Sequence, residues 1–359
     1  MHHGEFRAPH LRAPSFFLVG LVPGPLARMA RIRSSGLPMS QGLSLLFIID
    51  PLPLIKAYKD STVAMMRTAA ARGHDVWVCT PAEMQWREGR VTARAQRLQL
   101  LPPAEKGAPW YVELDAGARA LAGFDAVLMR KDPPFDSEFL YATHLLSAAQ
   151  RDGAAVFNDP RALRDHNEKL AITEFADFTV PTLVTREMEA LRQFHRDLGQ
   201  VVVKPLDGMG GTGIFVLQEN EANLNAILET VTHEGTRTVM AQRYIPEIRN
   251  GDKRVLLIGG VPVPFALARI PKPGETRGNL AAGGIARAQP LADSDRAIAE
   301  SLGPTLASRG LLLVGLDVIG DYLTEVNVTS PTCFVEIQSQ TGFDVAGMFI
   351  DALEKAVSR

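Results

Sequence analysis

Asp317, Glu325 and Asn327 place oxygen donors close together on what reads as one hairpin. Glu325 and Asn327 are two apart on a strand, so they share a face, and Asp317 lies across the turn Gly320-Asp321, where it can stand opposite them. Leu316, Val318, Leu323, Val326 and Val328 flank them, so the hairpin reads as partly buried rather than as a solvated edge. Carboxylates crowded in this way repel unless a hard cation lies between them, and Mg²⁺ is commonly held by one or two carboxylates together with phosphate oxygens. A second group supplies the phosphate side. Lys204 ends the apolar strand Val201 to Val203 and is followed by the loop DGMGGTG at 207–213, whose Gly208, Met209, Gly210 and Gly211 bring backbone N–H groups close to a polyanion. The same glycines would serve an ordinary turn, but a lysine at the end of an apolar strand needs an anionic partner. The loop is neither GxxxxGK[ST] nor a GxGxxG opening a helix. A third group is basic: Arg254, Arg269 and Arg277 at strand ends and on a long loop, and Arg130-Lys131 at the end of another strand, suit capture of carboxylate or phosphate.

The elements that must carry these residues follow from periodicity. Leu45 to Asp50 is a continuous apolar run, Asp60 and Ser61 cap a helix that Gly73 ends, and Val76 to Cys79 is the next strand, a β-α-β unit. Strands at Phe124 to Met129 and Ala154 to Phe157 bracket a helix near Ser137 to Gln150, so a parallel sheet is expected in the N-terminal part. After Asp159-Pro160 the strands come in adjacent pairs: 201–204 with 214–217, 254–258 with 263–268, and 312–317 with 322–327. Those pairs read as antiparallel hairpins. The loop 270–285, rich in Gly and Pro, is long enough to be a lid.

Bulk properties bound the rest. With 359 residues, 46% hydrophobic, the chain should form two or three domains with a cleft between them. A net charge of -2 gives no bulk attraction to nucleic acid or to an anionic membrane. Cys79 and Cys333 follow no metal or disulfide spacing and suit a reducing cytoplasm. No stretch after residue 40 approaches the ~18 apolar residues of a membrane span. Residues 1–38 hold five arginines against Glu5, a composition with a trace of a targeting segment, but a disordered extension or an over-long start is the plainer expectation.

With these residues in view, the chain resembles the bacterial-type glutathione synthetases of the ATP-grasp superfamily from Leu45 to Val357. The resemblance is carried by RKDPPF (130–135), LRDHNEK (163–169), KPLDGMGG (204–211), GDKRV (251–255), ETRGNLAAGG (275–284) and LTEVNVTSPT (323–332). It implies an α/β N-terminal domain at 41–163 and an ATP-grasp fold of two α+β subdomains, 164–245 and 246–359, with 270–285 as the lid and 1–40 outside them. It implies that Lys169 and Lys204 contact ATP phosphates under the loop 208–211, that Gln242, Tyr244 and Ile245 lie at the adenine, and that Asp252 holds the ribose. Asp317, Glu325 and Asn327 fall at the Mg²⁺ (or Mn²⁺) positions. Arg254, Arg269 and Arg277 fall near the acyl phosphate, and Arg130 and Ser330 join Arg254 and Arg269 as substrate contacts. Thr212, where the family has a small residue, departs from its pattern, as do residues 1–38. The implied activity is ATP-dependent ligation of γ-glutamylcysteine and glycine, in a cytoplasmic homo-oligomer with no nucleic-acid or membrane partner. The alternatives are another ATP-grasp ligase, of the D-alanine or glutamate type, and a non-catalytic ATP-binding module, which would not need to keep lid, lysines and acids together.

Overall fold

A computed structural model describes residues 42–102, 107–208, 210–272, 274, 278 and 283–358. Among these residues sixteen strands form three sheets. The first contains β1 (Ser44–Ile48), β2 (Asp75–Cys79), β3 (Met84–Arg87), β4 (Arg90–Leu100), β5 (Tyr111–Ala120), β6 (Ala126–Met129) and β7 (Val156–Phe157), ordered β3-β4-β2-β1-β6-β7 with β5 on the side of β4. β1 pairs in parallel with both β2 and β6, and Leu45 to Ile48 are fully buried, because helices cover both faces. The helix Ser61–Ala71 begins where the Asp60 carboxylate accepts from the Val63 N–H at 2.8 Å, and the chain leaves it through Gly73 at φ 82°. The helix Ser137–Arg151 is capped in the same way by Asp136.

The parallel strands expected in the N-terminal part are present, β2, β1, β6 and β7 pairing in that order. β3, β4 and β5 extend this sheet in antiparallel fashion, with β4 pairing β2, β3 and β5. Only one face of β4 is apolar, and its buried residues include the small Val91, Ala93 and Ala95, while β5 is largely exposed. Such strands lack the continuous apolar runs of β1 and β6.

The second sheet, ordered β10-β9-β11-β8, comprises β8 (Thr182–Thr185), β9 (Val201–Pro205), β10 (Phe215–Leu217) and β11 (Val239–Arg243). The helices Met188–Leu198 and Leu224–Thr232 pack on it through Leu191, Leu228 and Val231 against Val201, Val203 and Val239. The third, β14-β13-β12-β15-β16, comprises β12 (Asp252–Ile258), β13 (Val261–Ile270), β14 (Ile285–Pro290), β15 (Leu313–Ile319) and β16 (Tyr322–Asn327). Each hairpin read from the sequence is present and antiparallel. The C-terminal helices Phe334–Thr341 and Val345–Val357 return to the first sheet, where Phe334, Phe349 and Ile350 share a core with Phe47 and Met66. Arg72, after the first helix, bonds Asp351 at 2.6 Å across that contact. No helix among the described residues is long and apolar enough to cross a membrane.

Candidate active site

A cleft of about 650 Å³ is walled by residues of all three sheets, among them Arg130 after β6, Lys204 on β9, Gln242 on β11, Arg254 on β12, and Asp317 and Glu325 on β15 and β16. Strands that end at one place bring side chains far apart in sequence within reach of a single ligand.

Both lysines reach into it. Lys169 Nζ donates to the Gly208 carbonyl at 2.7 Å, also bonds the Glu168 carboxylate, and stands 3.7 Å from Glu325 Oε1. Lys204 Nζ donates to the Thr324 carbonyl at 3.3 Å and stands 3.6 Å from the same Glu325 oxygen. They answer burial differently. Burial disfavours the charge of each, but Glu325 and Glu168 outweigh it at Lys169 and raise its pKa, whereas at Lys204, which is without a bonded carboxylate, burial prevails and the pKa falls. Burial, then Glu325, likewise pushes the Glu168 carboxyl up. The glycine-rich loop begins at this lysine pair. Gly210 and Gly211 have φ of 63° and 83°, the left-handed region where a side chain is strained, so the turn that lays the loop over the lysines requires glycine.

The acids lie on the neighbouring hairpin. Asp317 pairs directly with Glu325 across β15 and β16, and Gly315 with Asn327, so the three side chains share one face. Asp317 is heavily committed: its Oδ1 accepts from Arg254 Nε at 2.6 Å, and its Oδ2 accepts from Arg254 Nη2 at 3.2 Å and from Arg269 Nη2 at 2.9 Å. Burial opposes its ionisation, yet Arg254 and Arg269 hold the carboxyl well below the usual range. Asp252, which also accepts from Arg269, fares otherwise. Burial pushes it up to about 7, and its Oδ1 is enclosed without a hydrogen-bond partner.

The residues fit a divalent cation by their chemistry. A carboxylate offers about four lone-pair sites, and Asp317 uses three. Among the described residues Glu325 is held only by ion pairs longer than a hydrogen bond, and Asn327 commits its amide nitrogen to the Gly315 carbonyl at 3.3 Å, which leaves its oxygen as the end for a ligand. Hard oxygens of this kind suit Mg²⁺ or Mn²⁺. Among the described residues no group of three His, Cys, Asp or Glu could hold a metal, so the amide is needed to complete the set.

Gln242, Tyr244 and Ile245 line the cleft beyond the lysines, and Gln242 Nε2 is tied to Thr182 Oγ1 at 3.0 Å. On the opposite side Arg130 is buried, its Nε on Thr62 Oγ1 at 3.0 Å and Nη2 on the Pro331 carbonyl at 2.9 Å, and burial lowers its pKa to about 10. Ser330 Oγ donates to the Arg130 carbonyl at 3.2 Å. Met209, Arg277 and half of the expected lid 270–285 lie outside the described residues.

Three residues in or behind the cleft wall escaped the sequence reading. Glu168 was visible only as a neighbour of Lys169. Gly315 leaves room for Arg254: a Cβ there would stand 2.9 Å from Arg254 Cδ and 3.1 Å from its Nε. Glu336 lines the cleft from the first turn of the helix Phe334–Thr341, and nothing in its local sequence marks it.

Two sheets closing on one cleft, with a lysine pair on one side and paired acids on the other, define an ATP-grasp fold. The described structure superposes on a D-cycloserine synthetase, DcsG, with a TM-score of 0.62 at 18% identity, covering 88% of this chain and 99% of that one. The sequence is more specific: residues 43–164 match the model of the prokaryotic glutathione synthetase N-terminal domain, and residues 168–342 match that family's ATP-grasp domain. The chain is 63% identical to a glutathione synthetase of Bordetella parapertussis over 316 residues, 88% of this chain and 99% of that protein. It is 60% identical to one of Ralstonia nicotianae over 317 residues, 88% of this chain and 97% of that protein. The chain belongs to the prokaryotic glutathione synthetase family, a family of ATP-dependent ligases.

Proposed function

We propose that this chain joins γ-glutamylcysteine to glycine, with ATP converted to ADP and phosphate. The observation that carries the reading is the cleft itself, in which Lys169 and Lys204 face Glu325 while Arg254, backed by the buried Arg269, grips Asp317 one strand away. A carboxylate oxygen is too poor a leaving group for direct attack by an amine. The cysteinyl carboxylate therefore attacks the terminal phosphorus of ATP, the P–O bond to ADP breaks, and an acyl phosphate forms. The glycine amine then attacks the carbonyl carbon and loses a proton, and phosphate departs with the electron pair.

Each residue has a part in this. Lys169, Lys204 and the amides of the loop 208–211 neutralise charge on the transferred phosphoryl group, and preorganised donors of this kind favour the transition state. Gln242, Tyr244 and Ile245 seat the adenine and Asp252 the ribose, a role for which its unpartnered Oδ1 is suited. Arg254 and Arg269 hold the acyl phosphate, with Arg277 added from the lid 270–285, whose closure keeps water from it. Asp317, Glu325 and Asn327 would hold Mg²⁺ or Mn²⁺, which when bound screens the phosphate oxygens. Arg130 and Ser330 contact the dipeptide.

The test is ADP formation by wild type and by Glu325→Ala, supplied with γ-glutamylcysteine and glycine and, in parallel, with D-alanine or free glutamate as the acceptor acid. Turnover confined to the dipeptide, and lost in the variant, is expected. Near-normal turnover by Glu325→Ala would remove the metal assignment, and turnover with D-alanine instead would reassign the substrate.

A further inference from the structure

A flat base seated at Gln242, Tyr244 and Ile245 would enter between the second and third sheets, and its hold depends on their spacing. The walls there are apolar. Val202 and Val216 line the cleft from the second sheet, Ile319 from the third, and Ile245 and Ile248 from the connection between them. Among the described residues, two side chains of the second sheet reach β16 by a polar or ring contact. Lys204 Nζ donates to the Thr324 carbonyl at 3.3 Å and faces Glu325. Arg243 lays its guanidinium over the ring of Tyr322, 5.4 Å from the centroid. The bond of Lys204 is open to exchange with an incoming phosphate, whereas the contact of Arg243 lies at the base end and can persist.

Both partners are held where they meet. Arg243 ends β11, where its N–H donates to the Pro181 carbonyl at 3.0 Å and the next N–H, of Tyr244, to the Gln200 carbonyl at 3.0 Å. Tyr322 opens β16 and pairs directly with Ile319, so the two side chains share a face, and Ile319 lines the cleft. The ring therefore stands at the border of the apolar slot, at the turn of the hairpin that carries Asp317 and Glu325. Arg243 Nε is enclosed without a hydrogen-bond partner, so no acceptor among the described residues draws that part of the group away from the ring. A guanidinium within about 6 Å of an aromatic face is attracted by the ring's quadrupole, and more strongly as water is excluded. Both residues are half-buried.

We propose that Arg243 and Tyr322 form a clasp between the two sheets, a pair of positioning residues that fixes the width of the base slot and with it the affinity for nucleotide. The assignment rests on the reading of Gln242, Tyr244 and Ile245 as the adenine seat. The clasp acts at the base, away from the phosphates that Lys169 and Lys204 meet. It therefore changes the affinity of every adenine nucleotide by one factor, whatever the number of phosphates.

The test is calorimetric binding of AMP and of the non-hydrolysable ATP analogue AMPPNP, in Mg²⁺, to wild type, Arg243→Met, Tyr322→Leu and the double variant. Loss of a cation–π contact between half-buried groups gives a loss of roughly three- to tenfold. Each single variant is expected to lose that factor on both nucleotides alike, and the double variant no more than either single one, because both substitutions remove the same contact. In turnover, KM for ATP should rise in parallel while kcat and KM for the dipeptide and for glycine stay as in wild type. Tyr322→Phe, which keeps the ring face, should bind both nucleotides as wild type does. Losses that add in the double variant, a loss confined to AMPPNP, unchanged affinity in the single variants, or a Tyr322→Phe as weak as Tyr322→Leu would overturn the proposal. Wild type that binds inorganic tripolyphosphate as tightly as AMPPNP would show instead that no base is seated, in which case the adenine reading has failed and this inference falls with it.

Discussion

Replacing Asp317 by Asn tests whether the arginine cluster is held together by one shared charge. The carboxylate is bonded by Arg254 at 2.6 and 3.2 Å and by Arg269 at 2.9 Å, and the three side chains are only 4–8% exposed. Asparagine keeps the shape, but it offers one acceptor and turns an N–H₂ toward a guanidinium, so two buried cations are left with Asp252 between them. Removing one partner of a buried pair typically costs about 3–5 kcal/mol. At about 2 °C per kcal/mol for a chain of this size, the melting temperature should fall by roughly 6–10 °C. The assay is thermal unfolding of the protein without nucleotide and in chelator, so that bound metal contributes nothing. Two controls separate this cause from others. Arg254→Gln combined with Asp317→Asn removes a charge from each side and should recover part of the loss. The second control is pH. Asp317 has a folded pKa below its ordinary value of about 3.9, so its contribution is complete above about pH 4 and disappears as pH falls through the depressed value. The gap between wild type and variant should therefore narrow in acid. A variant melting within about 1 °C of wild type at neutral pH, or a double variant no better than the single one, would refute the account.

Gly315→Ala should displace Arg254, since the new Cβ would meet its side chain at 2.9–3.1 Å and Pro331 Cβ at 3.1 Å. Overpacking of this kind costs about 1–3 kcal/mol, and kcat/KM for the dipeptide should fall more than roughly tenfold while nucleotide affinity, read by calorimetry, changes little. Chelation should stop ADP formation and added Mg²⁺ restore it, with Asn327→Ala shifting the half-saturating Mg²⁺ upward. Full activity in chelator would count against the oxygen set on β15 and β16.

The parts legible in the sequence were those whose cause is local. β1 and β6 are buried on both faces and therefore read as unbroken apolar runs, and the hairpin β15–β16 announced itself through alternation around Gly320-Asp321. β3, β4 and β5 were missed because their residues satisfy a sheet with one covered face made of small side chains, and β5 has almost no covered face. The site divides in the same way. The loop at 207–213 and the face shared by Glu325 and Asn327 follow from spacing within a few residues. The grip of Arg254 and Arg269 on Asp317 spans 63 residues for Arg254 alone, and the charges that act on Glu336, Lys59 and Asp60, come from the other end of the chain. No spacing rule reaches that far.

Acids in a site built for a polyanion need a physical reason, and the pairings supply one. Lys169 bonds Glu168, Arg254 bonds Asp317, and Arg269 is shared by Asp317 and Asp252. Each carboxylate offsets the cost of burying a cation and fixes its position before any phosphate arrives, so little reorganisation remains to be done on binding. Lys204 is the exception. Among the described residues its nearest carboxylate oxygen is 3.6 Å away and its one bond is to a backbone carbonyl, and burial accordingly lowers its pKa. Of the two lysines, it therefore gains more from an incoming phosphate, because the anion restores a charge that the protein alone supports poorly. Lys169, already paired with Glu168, also holds the loop through the Gly208 carbonyl, so under the proposed function it would position the loop as well as meet the phosphate.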